Sequence, residues 1–313
     1  MEFLPPNLTV VLLAGLFDLL LGEPPNRYHP VAWMGTLIGF IRWRAEHHAS
    51  RPRQLLAWGV GLVAVGLTVS IVAGWLVHAL LQELPQFVAL IGEALVLKTM
   101  FSIRALADAA DRVRSSLARG DLPMARSWLN QHLVSRETSQ LDAHQIAAAA
   151  VESVAENTSD SIVAPLLYYC LFGLAGALAY RFINTADAMV GYRTTRYEWL
   201  GKPAARLDDL ANLLPARLTA LLMMIAAPLV GGNAARGWQI WLRDARLPHS
   251  PNAGHPMSAA SGVLEIELEK PGYYRIGSGQ HMAGVRDIPR AVRLMHSTTA
   301  VAIVLITLLT MLV

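Results

Sequence analysis

The residues best suited to chemistry stand in one short stretch, Glu152-Ser-Val-Ala-Glu156-Asn157-Thr158-Ser159-Asp160. On a helix, Glu152, Glu156 and Asp160 fall at i, i+4 and i+8 and share a face, with Asn157 three residues before Asp160. Like charges at this spacing repel by about 0.2–0.5 kcal/mol in water. A hard cation offsets that repulsion, and Mg²⁺ prefers oxygen ligands, usually shared with substrate phosphates. A solvated acidic face paired with arginines would give the same three residues. A second copy of the pattern favours a site: Asn157-Thr-Ser-Asp160 recurs as Asn184-Thr-Ala-Asp187 at the far end of an apolar run. Two such faces meeting would make an oxygen-rich pocket for Mg²⁺ and phosphate.

Downstream of the second copy come Arg193, Arg196 and Arg206, then Asp208, Asp209 and, inside the next apolar run, Arg217. Arginine offers a planar fork to phosphate or carboxylate; a juxtamembrane belt on lipid headgroups is the plainer alternative. Arg217 needs a partner at that depth, and Asp208 or Asp209 is nearest in sequence. Ser250-Pro-Asn252-Ala-Gly254 is a tight turn whose backbone N–H groups could cradle an anion, although turns of this composition are usually only turns. The chain has no Walker A, G-x-S-x-G or H-E-x-x-H pattern.

The elements that must hold these residues are membrane helices. Of 313 residues, 54% are hydrophobic and 16% charged, with mean hydropathy +0.38. A soluble fold this apolar would expose large greasy patches. The net charge of +3 is too small and dispersed for a nucleic-acid binder. Lone Cys170 rules out a disulfide within the chain. Glu2 and Pro5-Pro6 stand where a signal peptide needs positive charge, so an uncleaved N-terminus is expected.

Runs 55–81, 162–180 and 297–313 are uncharged; 7–22 contains Asp18, 86–103 contains Glu93 and Lys98, and 210–230 contains Arg217. Such buried charges usually face a protein interior or a site. The expectation is an all-α polytopic integral membrane protein with about 4–6 membrane segments and helical or irregular cytoplasmic loops, forming one membrane-embedded domain over residues 1–313. Arginine bias puts 23–54 and 105–161 in the cytoplasm and 82–86 outside. Strict alternation would then export 181–209, which carries Arg181, Lys202 and Arg206. The simplest repair is that the 162–180 run, with Pro165, Gly173 and Gly176 inside it, is re-entrant or pairs with the next segment without a full crossing. Region 105–161 reads as polar helices: Asp121 caps one before Pro123, and Ser139 with Asp142 resembles a capping box opening another through about Asn157. Region 231–296 reads as a long functional cytoplasmic loop.

Taken together, these segments resemble the adenosylcobinamide-phosphate synthase family, the cobalamin-biosynthesis membrane proteins called CobD or CbiB. The matching pieces run in order along the chain. They begin with Asp18-Leu-Leu-Leu-Gly22-Glu23-Pro24, His29-Pro30-Val31 and Lys98-Thr-Met-Phe101-Ser102-Ile103-Arg104. Glu152 to Thr158 with Asp160, Ala164-Pro165, and Asn184-Thr185 with Asp187 come next. Met189-Val-Gly191-Tyr192, Ala205-Arg206-Leu-Asp208-Asp209, Pro215-Ala-Arg217-Leu218 and Ser250-Pro-Asn252-Ala-Gly254 complete the series. Departures are Val134-Ser-Arg136-Glu137-Thr138, where the family commonly has V-G-R-D-T; Leu200-Gly201-Lys202, where it has F-G-W; and His255, at a position often aromatic.

The resemblance implies a carbon–nitrogen ligase late in corrinoid assembly. It joins a propionate of adenosylcobyric acid to the amine of aminopropanol phosphate, with Mg²⁺ and ATP as cofactor and co-substrate. For that reaction the expected assignment is that Glu152, Glu156, Asp160 and Asp187 hold Mg²⁺, assisted by Asn157 and Asn184. Arg193, Arg196 and Arg206 would hold phosphates, with Asn252 in the anion-cradling turn. Lys98 or Arg104 would hold a corrin carboxylate, and His29 would take a proton from the attacking amine. Expected partners are the corrinoid and phosphorylated amino alcohol, the lipid bilayer and other corrinoid-assembly membrane enzymes, with no nucleic acid. The expected place is the inner cell membrane, multi-pass, with the active site on the cytoplasmic side. The rivals are an intramembrane Mg²⁺-dependent prenyltransferase, a transporter, and a non-catalytic regulator of the related β-lactamase-regulation branch.

Overall fold

The computed structural model describes residues 6–192 and 197–311. In chain order they form α1 (Pro6–Leu21), α2 (Pro30–His48), α3 (Pro52–Gln82), α4 (Gln86–Lys98), α5 (Ile103–Ala118), α6 (Leu122–His132) and α7 (Ala143–Thr158). There follow α8 (Ala164–Val190), α9 (Lys202–Ala211), α10 (Leu213–Ala226), α11 (Ala234–Asp244), α12 (Gly254–Leu264) and α13 (Asp287–Met311). Three short strands, β1 (Ile266–Lys270), β2 (Tyr274–Ile276) and β3 (His281–Met282), lie between the last two helices. Among the described residues four helical stretches are long and apolar enough to cross a membrane: Pro52–Gln82, Gln86–Ala118, Ala143–Val190 and Leu213–Val230. The protein is the all-α polytopic membrane protein that its composition dictates, with one small sheet added.

The chain packs as two compact units: residues up to Ser102 with Ala164–Asn212, and Ile103–Val163 with Leu213–Leu309. In the first unit α3 packs on α8 through buried Gly66, against Phe182, and Gly74, against Ala175. Helices in lipid gain little from the hydrophobic effect between themselves, so small residues that allow close approach decide the contact. A Cβ on Gly66 would sit 1.7 Å from Cζ of Phe182, and one on Gly59 2.2 Å from the Leu200 carbonyl oxygen.

The 48-residue stretch Ala143–Val190 would be about 72 Å long if straight, over twice the hydrocarbon thickness. It is broken at Gly173, whose φ of 63° and ψ of −157° are open essentially to glycine. The two arms of α8 fold back on each other. Tyr168 and Tyr180 stack with ring centroids 5.0 Å apart. Twelve residues along a straight helix would separate them by about 18 Å. The apolar run therefore reverses within itself.

Asp18, Glu93 and Lys98, three charges in the apolar runs, are buried. Buried Glu93 accepts a hydrogen bond from the Tyr169 hydroxyl (2.9 Å) and lies 3.4 Å from His78 Nδ1. Most of the segment 23–54 forms α2. Met34, Ile38, Ile41 and Ala45 are buried there at helical spacing, and the His29 ring caps the first turn.

In the second unit α7 is the core helix. Residues 146–155 are all buried, and four consecutive alanines let neighbouring elements approach closely. Its N-terminal capping box is Asp142 with Gln145, not Ser139 with Asp142. Glu137 Oε1 already accepts from the backbone N–H groups of Thr138 and Ser139. Asp121 caps α6 as expected, accepting from Met124 N at 3.0 Å. A π-helical turn, Ser159–Val163, follows α7.

Region 231–296 departs most from expectation, since it holds α11, α12, the sheet and the first residues of α13. Its weak periodicity has a packing cause: α12 is buried on all sides and built of small residues, Ser258 to Gly262. A Cβ on Gly262 would lie 2.6 Å from Gly237 Cα of α11. β1 pairs antiparallel with β2, Lys270 opposite Tyr274, and parallel with β3, Ile266 opposite His281. Gly272 (φ 77°) makes the hairpin turn.

Candidate functional site

Each unit builds one group of chemistry-bearing residues. In the second, α7 and the β1–β2 hairpin wall a cavity of about 270 Å³ lined by Arg136, Glu152, Glu156, Lys270 and Tyr274, with Ser135 and Ser153. Glu152 Oε2 lies 3.3 Å from an Arg136 nitrogen and the carboxylate meets the Tyr274 hydroxyl, whereas Oε1 is buried without a hydrogen-bond partner among the described residues. Burial, and then the charges of Glu152 and Glu156, raise the Tyr274 phenol so that it stays protonated as a donor. Asp160 does not line this cavity. The i, i+4, i+8 face assumed a regular helix, and the π-turn starting at Ser159 breaks that register before Asp160. Asn157 spends its side chain within its helix, donating to the Ser153 carbonyl (2.9 Å) and accepting from Ser161 Oγ (2.9 Å).

In the first unit the second arm of α8 carries Asn184 and Asp187, and α9 brings Asp208 and Asp209 beside them. The return is made by glycines. A Cβ on Gly201 would fall 1.7 Å from the Val190 carbonyl oxygen, and one on Gly191 would fall 1.9 Å from Asp187 Oδ1. Asp208 is then oriented through a relay. The Tyr180 hydroxyl donates to Asn212 Oδ1 (2.8 Å), and Asn212 Nδ2 donates to Asp208 Oδ2 (3.0 Å). Asp208 Oδ1 is buried without a hydrogen-bond partner among the described residues. Burial, and next the charge of Asp187, push the Asp208 carboxyl up to about 7, against the pull of hydrogen bonds from Asn212 and Asn184. Asn184 Oδ1 also accepts from Arg181 at 3.4 Å. Beside them Arg206, Lys202 and Asp209 line a cavity of about 240 Å³. Among the described residues no three His, Cys, Asp or Glu side chains form a ready-made metal-ligand set. Mg²⁺ commonly takes one or two carboxylates and fills its shell with waters and phosphates, which fits the Asp187–Asp208 pair and its amide neighbour.

Other expected site residues are engaged elsewhere. Arg193 and Arg196 lie outside the described residues. Lys98 is buried and donates to the Gly22 carbonyl, with Glu23 Oε2 at 3.4 Å, so it braces the turn after α1 instead of facing solvent. His29 Nδ1 accepts from Val31 N (3.2 Å), which leaves Nε2–H to donate to Glu23 (3.0 Å), so both ring nitrogens are used. Arg104 is exposed and pairs with Asp108 one turn on, at 3.7 Å. Arg217 donates to the Leu213 carbonyl (2.7 Å) of its own helix, so the expected aspartate is not its partner. Asn252 is buried in its turn, where Ser250 Oγ accepts from the backbone N–H groups of Asn252 and Ala253. Sequence reasoning missed Arg136, Lys270, Tyr274 and the role of Asp208.

His255 offers a pH test of this packing. Its Nδ1 accepts from the Trp241 indole N–H at 2.8 Å. Burial, and then the charges of Arg217 and Arg246, lower its pKa from 6.5 to about 4. The ring is neutral in the folded state, so its contribution to stability is complete above pH 6.5 and is lost as pH falls toward 4. His255→Gln keeps an acceptor for Trp241 and is expected to remove about 1–2 kcal/mol of acid destabilisation, a figure discounted for the ring's partial exposure. Thermal unfolding of purified protein between pH 7 and 4.5 checks it: wild type and variant declining in parallel would refute it.

Fold and sites together define a class, a helical polytopic membrane protein with grouped carboxylates and amides beside cavities lined by cations. The chain belongs to the CobD/Cbib protein family, which it matches over residues 11–304. It is 41% identical to the cobalamin biosynthesis protein CobD of Dehalococcoides mccartyi, over 86% of each chain. It is 43% identical to that of Geobacter metallireducens, over 83% of this chain and 80% of the relative. The probable cobalamin biosynthesis protein CobD of Methanocaldococcus jannaschii is 36% identical over 97% of this chain and 98% of its own. No solved structure matches.

Proposed function

We propose that this protein acts in cobalamin biosynthesis as an ATP- and Mg²⁺-dependent ligase. It joins a propionate carboxylate of adenosylcobyric acid to the amine of aminopropanol phosphate, at the cytoplasmic side of the cell membrane. Family membership supports the pathway, and one observation carries the chemistry: Asp208 holds a buried carboxylate oxygen, beside Asp187 and Asn184, that has no hydrogen-bond partner among the described residues. Two carboxylates crowded this way call for a cation, and Asp187 and Asp208, with Asn184, would hold Mg²⁺. The ion would neutralise charge on the phosphates of ATP.

A carboxylate is a poor acyl donor. In the proposed route a propionate oxygen attacks the γ-phosphorus of ATP, forming a carbonyl–oxygen–phosphorus bond and releasing ADP. The amine nitrogen then bonds to the acyl carbon, inorganic phosphate leaves, and the amine gives up a proton. Arg206 and Lys202, on the cavity wall next to Asp209, would hold phosphate oxygens. The protein's share is mainly positioning and charge neutralisation.

The test is incubation of the purified protein with adenosylcobyric acid, ATP, Mg²⁺ and phosphorylated amino alcohols, read by mass spectrometry. The expected product has the combined mass of corrinoid and amine less one water, and it forms only with both ATP and Mg²⁺. No mass gain with any phosphorylated amino alcohol would overturn the assignment.

A further inference from the structure

We infer that the outward face of α2, with the turn joining it to α3, is a binding surface for anionic phospholipid headgroups. It lies within the first unit and does not depend on the ligase reading. α2 carries two stripes at helical spacing. Met34, Ile38, Ile41 and Ala45 are buried, and the helix packs on α3 and α8. Trp33, Thr36, Phe40 and Trp43 form the other stripe and are exposed. Its three aromatic rings remain 57%, 53% and 50% uncovered, and a run of large rings facing water is a liability. Yet α2, which contains Arg42 and Arg44, is not one of the stretches apolar enough to cross a membrane. An aromatic helix face that is too charged to span fits the level where Trp rings meet lipid headgroups.

α3 sets that level. Its 31 residues make a rod of about 46 Å against a hydrocarbon core of about 30 Å, so a centred α3 carries about 8 Å of each end into the headgroup layer. Arg51 and Arg53 flank its first residue, Pro52, and α2 ends just before them at His48. From position 42 to 53 the chain sets Arg42, Arg44, Arg51 and Arg53 against one carboxylate, Glu46. None of the four arginines makes a salt bridge among the described residues. Arg44 instead lies over the Phe40 and Trp43 rings, 5.2 and 5.6 Å from their centres, which leaves its charge unneutralised. Arg44, Arg51 and Arg53 are exposed. Grouped cations at the end of a membrane helix complement negatively charged lipid heads, and the aromatic stripe beside them suits the apolar part of a lipid, which a soluble anion lacks.

The full-length protein, purified in neutral detergent, is given equal amounts of phosphatidylglycerol and phosphatidylcholine, and the retained lipids are counted by native mass spectrometry. Phosphatidylglycerol should be retained preferentially. Each arginine near an anionic surface is worth about a factor of five, so Arg51→Gln with Arg53→Gln should cut the preference about 25-fold. Arg51→Lys with Arg53→Lys should keep it, and Trp43→Ala should weaken both lipids alike. All these variants should melt with wild type in phosphatidylcholine nanodiscs. Phosphatidylglycerol nanodiscs should raise the melting temperature of wild type and of the lysine variant, but not of the glutamine variant.

Equal retention of the two lipids by wild type, or an unchanged preference in the glutamine variant, overturns the surface. Loss of the preference in the lysine variant also overturns it, because a bilayer surface reads charge and not the guanidinium fork. Displacement of phosphatidylglycerol by an equal concentration of glycerol phosphate overturns the lipid in favour of a soluble anion. A dimer in phosphatidylcholine nanodiscs that Trp43→Ala dissolves overturns it in favour of a second copy of this chain on the aromatic face.

Discussion

Asp187→Asn is expected to lower the rate of corrinoid amide formation by about a hundredfold to a thousandfold, the scale of removing one preorganised charge from a site where charge develops. Asp208→Asn should do the same, and the double variant should be little worse than the poorer single one, since residues that act as a unit are not additive. Asparagine is nearly isosteric, so the Tyr180–Asn212 relay can still meet its oxygen at position 208. Relieving the repulsion between two crowded carboxylates should leave the melting temperature unchanged or raised, the usual price of a charged site. Activity falling while stability holds separates a site from a structural ion pair. A second measurement, the Mg²⁺ concentration for half-maximal rate, should rise several-fold in each single variant. A non-catalytic regulator predicts no change in cells carrying Asp187→Asn, so complementation of a corrinoid-dependent strain decides between the two.

Much of this architecture is legible in the sequence because lipid leaves a chain few options. The uncharged run 55–81 had to be a membrane helix, and Glu93 had to turn inward. Arg181, Lys202 and Arg206, on a segment that alternation would export, raise the expectation that the 162–180 run does not cross simply, and the chain does reverse at Gly173. What escaped depends on contacts between residues far apart in the chain. A lysine in an apolar run looks the same whether it meets a ligand or a carbonyl, and Lys98 meets the Gly22 carbonyl. Asp208 looked like a partner for an arginine, because nothing local says that α9 returns to Asp187. The hairpin was nearer to hand: Ile266 and Leu268 alternate with Glu267 and Glu269, then Pro271-Gly272 makes the turn. That signal was masked by the Gly-, Pro- and His-rich surroundings, and with it went Lys270 and Tyr274.

Gly201→Ala should then be among the most damaging single changes to the first unit, although it adds only one methyl group. Gly201 has φ −83° and ψ −18°, which any residue adopts, so backbone freedom is not what the position needs. The constraint is distance: an added Cβ would lie 1.7 Å from the Val190 oxygen and 2.5 Å from its carbonyl carbon. Both are backbone atoms, so no rotamer change relieves the clash, and the start of α9 must move away from the end of α8. The strain is expected to cost about 1–3 kcal/mol or more, but its larger effect is on function. Asp208 rides on α9 and Asp187 on α8, and a shift of about 1 Å between reacting groups can cost a hundredfold in rate. Gly201→Ala should therefore lose amide formation about as severely as Asp208→Asn does, but with a lowered melting temperature instead of a maintained one. Nearby Ala205 is the control: a Ser there adds one atom on the cavity side of the same helix and should leave the unfolding free energy within about 0.5 kcal/mol of wild type. If Gly201→Ala keeps both stability and rate, α9 is not held against Val190 as described, and the pairing of Asp187 with Asp208 loses its structural basis.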